Sequence, residues 1–411
     1  MSGLSIAPYF PFARMKVVEQ TVHLDVEKPG TLLRLEPDRR FRPLCHDCGA
    51  AGPIHTHGLQ RILRDLDVGP AQTFLQVEYR RVWCPRCRHA RVEQLSFADP
   101  SQRVTHRLAR FIYDLCKILT VQDVARHLDL DPKTVKAVDQ HFLQQEFGQT
   151  DYEGLRILAI DEIALKKGQQ SYLTVVLDYL TGRVVWVGEG HNQATLDEFF
   201  SGMSAEQKQA LQAVALDMWE PYINRVQHHC PQAKIVFDLF HLVKAFGEVI
   251  DEVRRDEVRQ AATQPEAQTL KGSRYLLLKN RRNLRPHQRV RLRELLAVNR
   301  RISAVYMLKD QLKMIYHYRR RGWAKKALDH WCDMAAEVDH PDLRRFINRL
   351  RYFEYGILNH CDYAIGTSPL EGVNNKIKVI KRKAYGFHDP GYFALKIKQA
   401  LPGREPVTET G

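Results

Sequence analysis

Three short apolar runs each end in an aspartate. LRILAIDE delivers Asp161, AVALDMW delivers Asp217, and KIVFDLFHLVK delivers Asp238 with His241 three residues on. A buried strand that exports one carboxylate at its C-terminal tip is how α/β proteins present acids for chemistry. Taken singly, each aspartate has an ordinary role as a turn residue or helix cap. Three strand-end acids in one small sheet exceed what packing requires and point to a divalent-cation site. Mg²⁺ is a hard ion, prefers carboxylate oxygens, and is commonly held by one or two of them plus water and substrate phosphate. Two such ions about 3.5–4 Å apart activate an attacking oxygen and stabilise the leaving one in phosphodiester chemistry.

A further ligand for such a pair lies far along the chain, in AIGTSPLEGVNNKIKVIKRKAYGF. Ser368-Pro369-Leu370-Glu371 reads as a helix N-terminus, with Ser as cap, Pro at the first position and Glu at the third. The capping box is the structural role of Glu371. The residues that follow argue for a second one: Asn374, Asn375, Lys378, Lys381, Arg382 and Lys383 give this helix a cationic, amide-bearing face suited to a phosphate backbone.

Cysteines supply a different chemistry. Cys45-His-Asp-Cys48 and Cys84-Pro-Arg-Cys87 are two C-x2-C pairs, and each brings two thiolates to the same side of a tight knuckle. Together they complete a closed tetrahedral site for Zn²⁺, structural because no position stays open for substrate. His55 and His57 lie between the pairs, and exposed loop histidines are the simpler reading of them. Arg61, Arg64, Arg80, Arg81, Arg86, Arg88 and Arg91 surround the module as candidate phosphate contacts. The other four of the eight cysteines (Cys116, Cys230, Cys332, Cys361) are scattered and read as small buried hydrophobes in a reducing cytosol.

The elements that must position these groups follow from periodicity. VTHRLARFIYDLCKILT places Leu108, Ile112, Leu115 and Leu119 at helical spacing, and VQDVARHLDL forms a short second helix. Asp131-Pro132 then starts another, PKTVKAVDQHFLQQEF, with Lys133, Thr134 and Lys136 near its beginning, where a recognition helix meets base edges. A plain helical hairpin is the competing reading. Residues 1–40 carry loosely alternating, strand-like runs. Residues 151–240 alternate strand and helix, 241–360 are helical throughout, 361–400 are partly helical, and the last residues read as a frayed tail. The expected divisions are a zinc-binding module over 1–100, a helix-turn-helix domain over 101–150, a catalytic α/β core over 151–240 and 361–400 interrupted by a basic helical insertion over 241–360, and a tail over 401–411.

Charge names the partner class. The 411 residues hold 62 Lys and Arg against 48 Asp and Glu, a net +14. Of that excess, +12 lies between His241 and His360, with 26 basic and 14 acidic residues. A polyanion, most often nucleic acid, is the expected partner. No run approaches the roughly 18 apolar residues of a membrane span, and the N-terminus lacks a signal-peptide core, so membrane and secreted classes are set aside in favour of a cytoplasmic, nucleoid-associated protein.

In this order, CxxC…CxxC, helix-turn-helix, AIDEIALKKG, ALDMWEPYI, KIVFDLFHLVK, a helical insert and SPLEGVNNKIKVIKRKAYGF, the sequence resembles the ISL-three family of bacterial insertion-sequence transposases over nearly its whole length. The resemblance implies a DDE-type transposase with a ribonuclease H-like α/β core. It implies Asp161 as first acid, Asp217 as second and Glu371 as last, together holding Mg²⁺ or Mn²⁺. Asp238 and His241 match a supporting D-x-x-H element, and Asp238 is the alternative second acid. The family often has Arg where Pro369 stands. The implied partners are double-stranded DNA, as transposon ends and as target, and a second copy of the chain in a homodimer or higher oligomer. Two other readings keep the same N-terminal modules: a sequence-specific DNA-binding regulator, and a related nuclease or resolvase without strand transfer. The carboxylates discriminate against the regulator, which has no use for them.

Overall fold

The computed structural model describes residues 6–10, 12–23, 28–165, 172–261, 263–365 and 368–404, with the backbone alone at helical positions 265, 266, 368, 370 and 371. The chain divides into two compact units between Gln145 and Glu146.

The first unit is a twisted sheet followed by three helices. Strands β1 (Met15–His23), β2 (Gly30–Pro37), β3 (Ile54–Val68), β4 (Ala71–Cys84) and β5 (His89–Val92) assemble in the order β1-β2-β4-β3, with β5 beside β4. Alternation along β2 and β4 sends Leu33, Leu35, Leu75 and Val77 into one core with Leu63, Leu95 and Phe97. Helices α1 (His106–Cys116), α2 (Val121–Leu128) and α3 (Pro132–Phe147) pack around Leu108, Ile112, Val124, Leu128, Val135 and Val138. Thr105 and Thr120 cap the first two, and α2 stops at Asp129, whose φ of 52° reverses the chain into α3.

An ion pair between a buried carboxylate and a half-buried arginine joins sheet to helices. Asp65, fully buried in β3, accepts from Thr105 Oγ1 at 2.6 Å, from the Leu66 amide at 2.9 Å and from Arg107 Nε at 2.7 Å. Asp65→Ala leaves Arg107 without its counter-charge and the cap of α1 without support. Chemical denaturation should show a loss of about 2–3 kcal/mol; a loss below 0.5 kcal/mol would mean that the pair does not tie the elements together.

The second unit is a mixed sheet with helices on both faces. Strands β6 (Ile157–Ala164), β7 (Tyr172–Asp178) and β8 (Val184–Glu189) run antiparallel, and β9 (Ala213–Leu216) and β10 (Lys234–Phe237) add in parallel, giving the order β10-β9-β6-β7-β8. Covered on both sides, the central strands are mostly apolar; every residue of β9 is buried. Helices α4 (Gln193–Ser201), α5 (Ala205–Gln209) and α6 (Glu220–His229) lie between β8 and β10 in the chain. Helix α7 (Leu239–Gln260) opens a long helical stretch that continues through α8 (Gln264–Lys271), α9 (Arg274–Leu278), α10 (Pro286–Val298), α11 (Arg300–Ile315), α12 (Arg321–Ala336), α13 (Pro341–Tyr352) and α14 (Glu354–Leu358). The chain then returns to the sheet as α15 (Ser368–Lys383) and α16 (Pro390–Ala400), whose Val373, Ile377, Phe393 and Ile397 cover Ala159, Ile163, Leu173 and Val175.

The helical stretch is fastened to the strand ends that carry the acids. Arg349 donates to the carbonyl of Met218 at 3.1 Å, Asn359 to that of Ile235 at 2.8 Å, and the Tyr316 hydroxyl to that of Phe237 at 3.0 Å. Phe237 also meets Phe353 edge-on at 5.2 Å and lies so close to Gly356 that a Cβ there would stand 2.3 Å from its ring.

Candidate functional site

The sheet brings two of the three strand aspartates to one imidazole. Asp161 projects from β6, the central strand, with its Oδ1 accepting from the Glu162 amide at 2.7 Å. Asp217 follows β9, and its Oδ1 accepts from the Met218 amide at 2.6 Å. His241, in the first turn of α7, lies between them: Nδ1 is 3.0 Å from Asp217 Oδ2 and Nε2 is 3.8 Å from Asp161 Oδ1. Asp238 follows β10 and is buried, and its Oδ1 accepts from the Phe240 amide at 2.6 Å as the N-cap of α7. Of the two candidates for second acid, Asp217 is therefore the one bonded to His241, and Asp238 fills the capping role.

Helix α15 reaches the same place. Asn374 Nδ2 donates to Asp161 Oδ2, and the other amide atom, Oδ1, is buried with no hydrogen-bond partner among the described residues. One helical stretch further on, Lys381 Nζ donates to the carbonyl of Ala164 at 3.1 Å. Glu371 lies in α15, one turn before Asn374; its side chain falls outside the described residues, as do those of Ser368 and Leu370 in the expected capping box. Asn375, Lys378, Arg382 and Lys383 are exposed along the helix.

Negative charge accumulates here beyond what His241 can neutralise. Burial, then the neighbouring charges of Asp161 and Asp217, push the Glu162 carboxyl up to about 7. Burial also pushes Asp238 up to about 6 against the opposing pull of the Phe240 amide and His241. Burial works the same way on Asp217, but the hydrogen bond and charge of His241 outweigh it and hold this carboxyl below its ordinary value. Burial would lower His241, and its bond to Asp217 and the charges of Asp217, Asp161 and Asp238 raise it on balance. Asp161 and Asp217 on either side of His241, with an amide oxygen that has no partner among the described residues beside Asp161, are hard oxygen donors of the kind a divalent cation takes. Sequence reasoning passed over Glu162, which adjoins Asp161 but, by strand alternation, belongs to the opposite face of the sheet.

In the first unit the four expected thiols meet. Cys45, Cys48, Cys84 and Cys87 have their sulfurs within 4.8 Å of one another, with Cys48 to Cys84 at 3.3 Å and Cys45 to Cys87 at 3.9 Å. The knuckles turn at Gly49 and Arg88, both with positive φ. The amide of Cys87 lowers the Cys84 thiol to about 7, and contact with Cys48 and Cys84 pushes the Cys87 thiol up to about 12. Four crowded sulfurs fit a single thiophilic cation. His55 is engaged with Thr56 at 2.8 Å and stands outside the cluster. Two of the arginines expected to meet phosphates do not face solvent: Arg80 is buried, with Nε and Nη2 both donating to Oε2 of Glu93, and Arg64 is buried against Asp67 and the carbonyls of Asp65 and Thr73. Packing buries them, Arg64 between the buried Leu63 and Asp65, which a count of basic residues does not register. On α3, Lys133 is exposed, with Thr134 and Lys136 half-buried beside the buried Val135; the Asp131 carboxylate accepts from the Lys133 amide at 2.7 Å.

Comparison with known proteins agrees with this arrangement. Residues 158–397 match a family model described as transposase, and residues 93–143 match the helix-turn-helix domain of transposase family ISL3. The chain is 42% identical over 382 residues to the transposase for insertion sequence element IS1001 of Bordetella parapertussis, covering 92% of this chain and 93% of that one. It is 28% identical over 400 residues to the transposase for insertion sequence element IS1557 of Mycobacterium tuberculosis, covering 92% and 89%. With the family model spanning more than half its length and a relative of this similarity spanning nearly all of it, the chain belongs to the ISL3 family of transposases.

Proposed function

We propose that the chain cuts DNA at the terminal inverted repeats of an insertion sequence and joins the freed 3′ ends to target DNA, using Asp161, Asp217 and Glu371 as its catalytic acids. The observation that carries this reading is the convergence on one imidazole of acids 56 positions apart, with α15 delivering Asn374 to the same Asp161. Glu371 stands three positions before Asn374 in the same helix. The strand order, three antiparallel strands flanked by two parallel ones, supports a ribonuclease H-like core whose first and fourth strands carry Asp161 and Asp217. Residues 241–360 are then an insertion within that core.

The three acids would hold Mg²⁺ or Mn²⁺, and those ions, when bound, supply activation of the attacking oxygen and neutralisation of charge on the phosphate. The chain's own residues do the positioning. His241 holds Asp217 and faces Asp161, Asn374 fixes the second oxygen of Asp161, and Asp238 secures the turn from which His241 projects. The exposed Asn375, Lys378, Arg382 and Lys383 meet phosphates. The four-cysteine cluster would hold a structural Zn²⁺, and Lys133, Thr134 and Lys136 would read bases of the terminal repeats. Synapsis of two ends calls for at least two copies.

Incubation of the purified protein with labelled duplex carrying the element's end, in Mg²⁺ or Mn²⁺, tests the reading. Metal-dependent nicks at the boundary of the repeat are expected. Tight binding to the ends without cleavage under either metal would instead favour a DNA-binding regulator.

A further inference from the structure

At the C-terminal end of α15 the backbone is held in a conformation that its residue does not favour. The amide of Gly386 returns to the carbonyl of Lys381 at 2.9 Å and that of Tyr385 to Arg382 at 3.0 Å, the paired bonds of a helix terminus that places one residue in the left-handed region. Glycine is the usual occupant of that position. Here it is Tyr385, with φ of 53°, and a bulky side chain at such a φ is a strained choice. The other non-glycine residues with positive φ among the described ones are Arg14, Arg88, Asp129 and Asp339, so Tyr385 is the one aromatic.

Nothing in the fold rewards that choice. Tyr385 is fully exposed. Its neighbours are anchored: Ile380 packs with the sheet, and Phe387 stacks on the buried Phe393 at 4.4 Å. The ring is thus displayed in solvent on a fixed backbone. It also stands at the end of a stripe, because the exposed Asn375, Lys378 and Arg382 recur at spacings of three and four along α15 and Tyr385 follows two residues past its last turn. A strained, solvent-displayed aromatic at the end of a cationic stripe is the composition of a surface that binds a nucleic-acid strand, with cations on phosphates and a ring on a base.

We propose that Tyr385 is a base-stacking residue, whose ring packs on an unpaired nucleobase of the DNA strand that runs along α15. The inference rests on the reading that this unit acts on DNA, and adds a nucleotide-level contact to it. A paired base has both faces covered by its neighbours, so the ring needs a base out of the stack. Eleven residues separate Asn374, which touches Asp161, from Tyr385; at about 1.5 Å per residue that is about 16 Å, or about five base steps of roughly 3.4 Å. The unpaired base accordingly lies about five nucleotides from the phosphate at Asp161.

The experiment pairs protein variants with DNA variants. Wild type, Tyr385→Gly and Tyr385→Phe are each measured for thermal unfolding and for binding and cleavage of end duplex, using intact DNA and a series with one abasic nucleotide at each position near the cleaved phosphate. Tyr385→Gly is expected to melt at or above wild type, since it removes the strained residue, yet to lose about ten- to a hundredfold in binding or cleavage. Tyr385→Phe should match wild type within about twofold. One abasic position, about five nucleotides from the cleaved phosphate, should cost wild type a similar factor and Tyr385→Gly nothing further. Full activity of Tyr385→Gly, an equal loss in Tyr385→Phe, or losses that multiply at every abasic position would overturn the stacking role while leaving cleavage by wild type intact. Failure of wild type to bind or cut end DNA would overturn the underlying reading and this inference with it.

Discussion

Asp161→Asn should abolish end cleavage, by about a thousandfold or more, and leave end binding within about twofold of wild type. The substitution keeps the shape of the side chain and an oxygen able to accept from the Glu162 amide, and a flip of the Asn374 amide turns its unpartnered oxygen toward the new NH2 group, so the fold has little to lose. What goes is the negative charge on the central strand, against which any cation at this site must be held. Loss of several kcal/mol of transition-state charge stabilisation corresponds to a factor of about 10³ or more. Asp217→Asn and Glu371→Gln are expected to behave alike. Asp238→Asn is the discriminating control: Asn caps helices as well as Asp does, so a residue that only starts α7 tolerates it and cleavage stays within about tenfold. Cleavage that survives Asp217→Asn and disappears in Asp238→Asn would reverse the assignment of the second acid.

Removal of metal from the four-cysteine cluster should have the second large effect, this time on folding. Around these sulfurs the buried apolar residues are few: Val82 clusters with Cys45 and Cys84, and the partly buried Ala50 packs against them. So small a core gives the two knuckles little apolar support, and a bound ion would supply it; apparent values of about 10–16 kcal/mol are typical of structural Zn²⁺. Cys84→Ala, or extraction by a strong chelator, is expected to release the amide protons of the two knuckles and β5 to exchange and to lower end recognition at least tenfold. Helices α4 to α16 should keep their protection, because they belong to the other unit. Unchanged exchange in Cys84→Ala would show that the thiols pack without a metal.

Much of this arrangement is legible in the sequence because it is local. ILAID, AVAL and KIVF are apolar runs whose length and β-branched content read as buried strands, and each hands over its aspartate at a fixed place. Asp131-Pro132 and the two C-x2-C pairs are equally self-contained. The unreadable parts depend on contacts between distant positions. Asn374 reads as one more polar group on a cationic helix, yet it holds Asp161, 213 positions away. Arg349, Tyr316 and Asn359 read as surface residues of a basic helical segment, yet each bonds a carbonyl on or just after a core strand, so the helical stretch buttresses the acids as well as adding charge. In the first unit, β3 and β4 form a hairpin of 15 and 14 residues whose alternation is broken by register shifts, and no simple period announces it. Arg64 and Arg80 show the same limit from the other side: a composition argument counts them for phosphate, whereas burial spends them on Asp67 and Glu93.

The most direct measurement is anomalous diffraction from crystals of the protein with end duplex and Mn²⁺. Manganese peaks are expected within about 2–2.5 Å of carboxylate oxygens of Asp161, Asp217 and Glu371, beside the phosphate to be cut. Manganese held elsewhere, or Glu371 remote from Asp161 with the cleavable phosphate against neither, would contradict it.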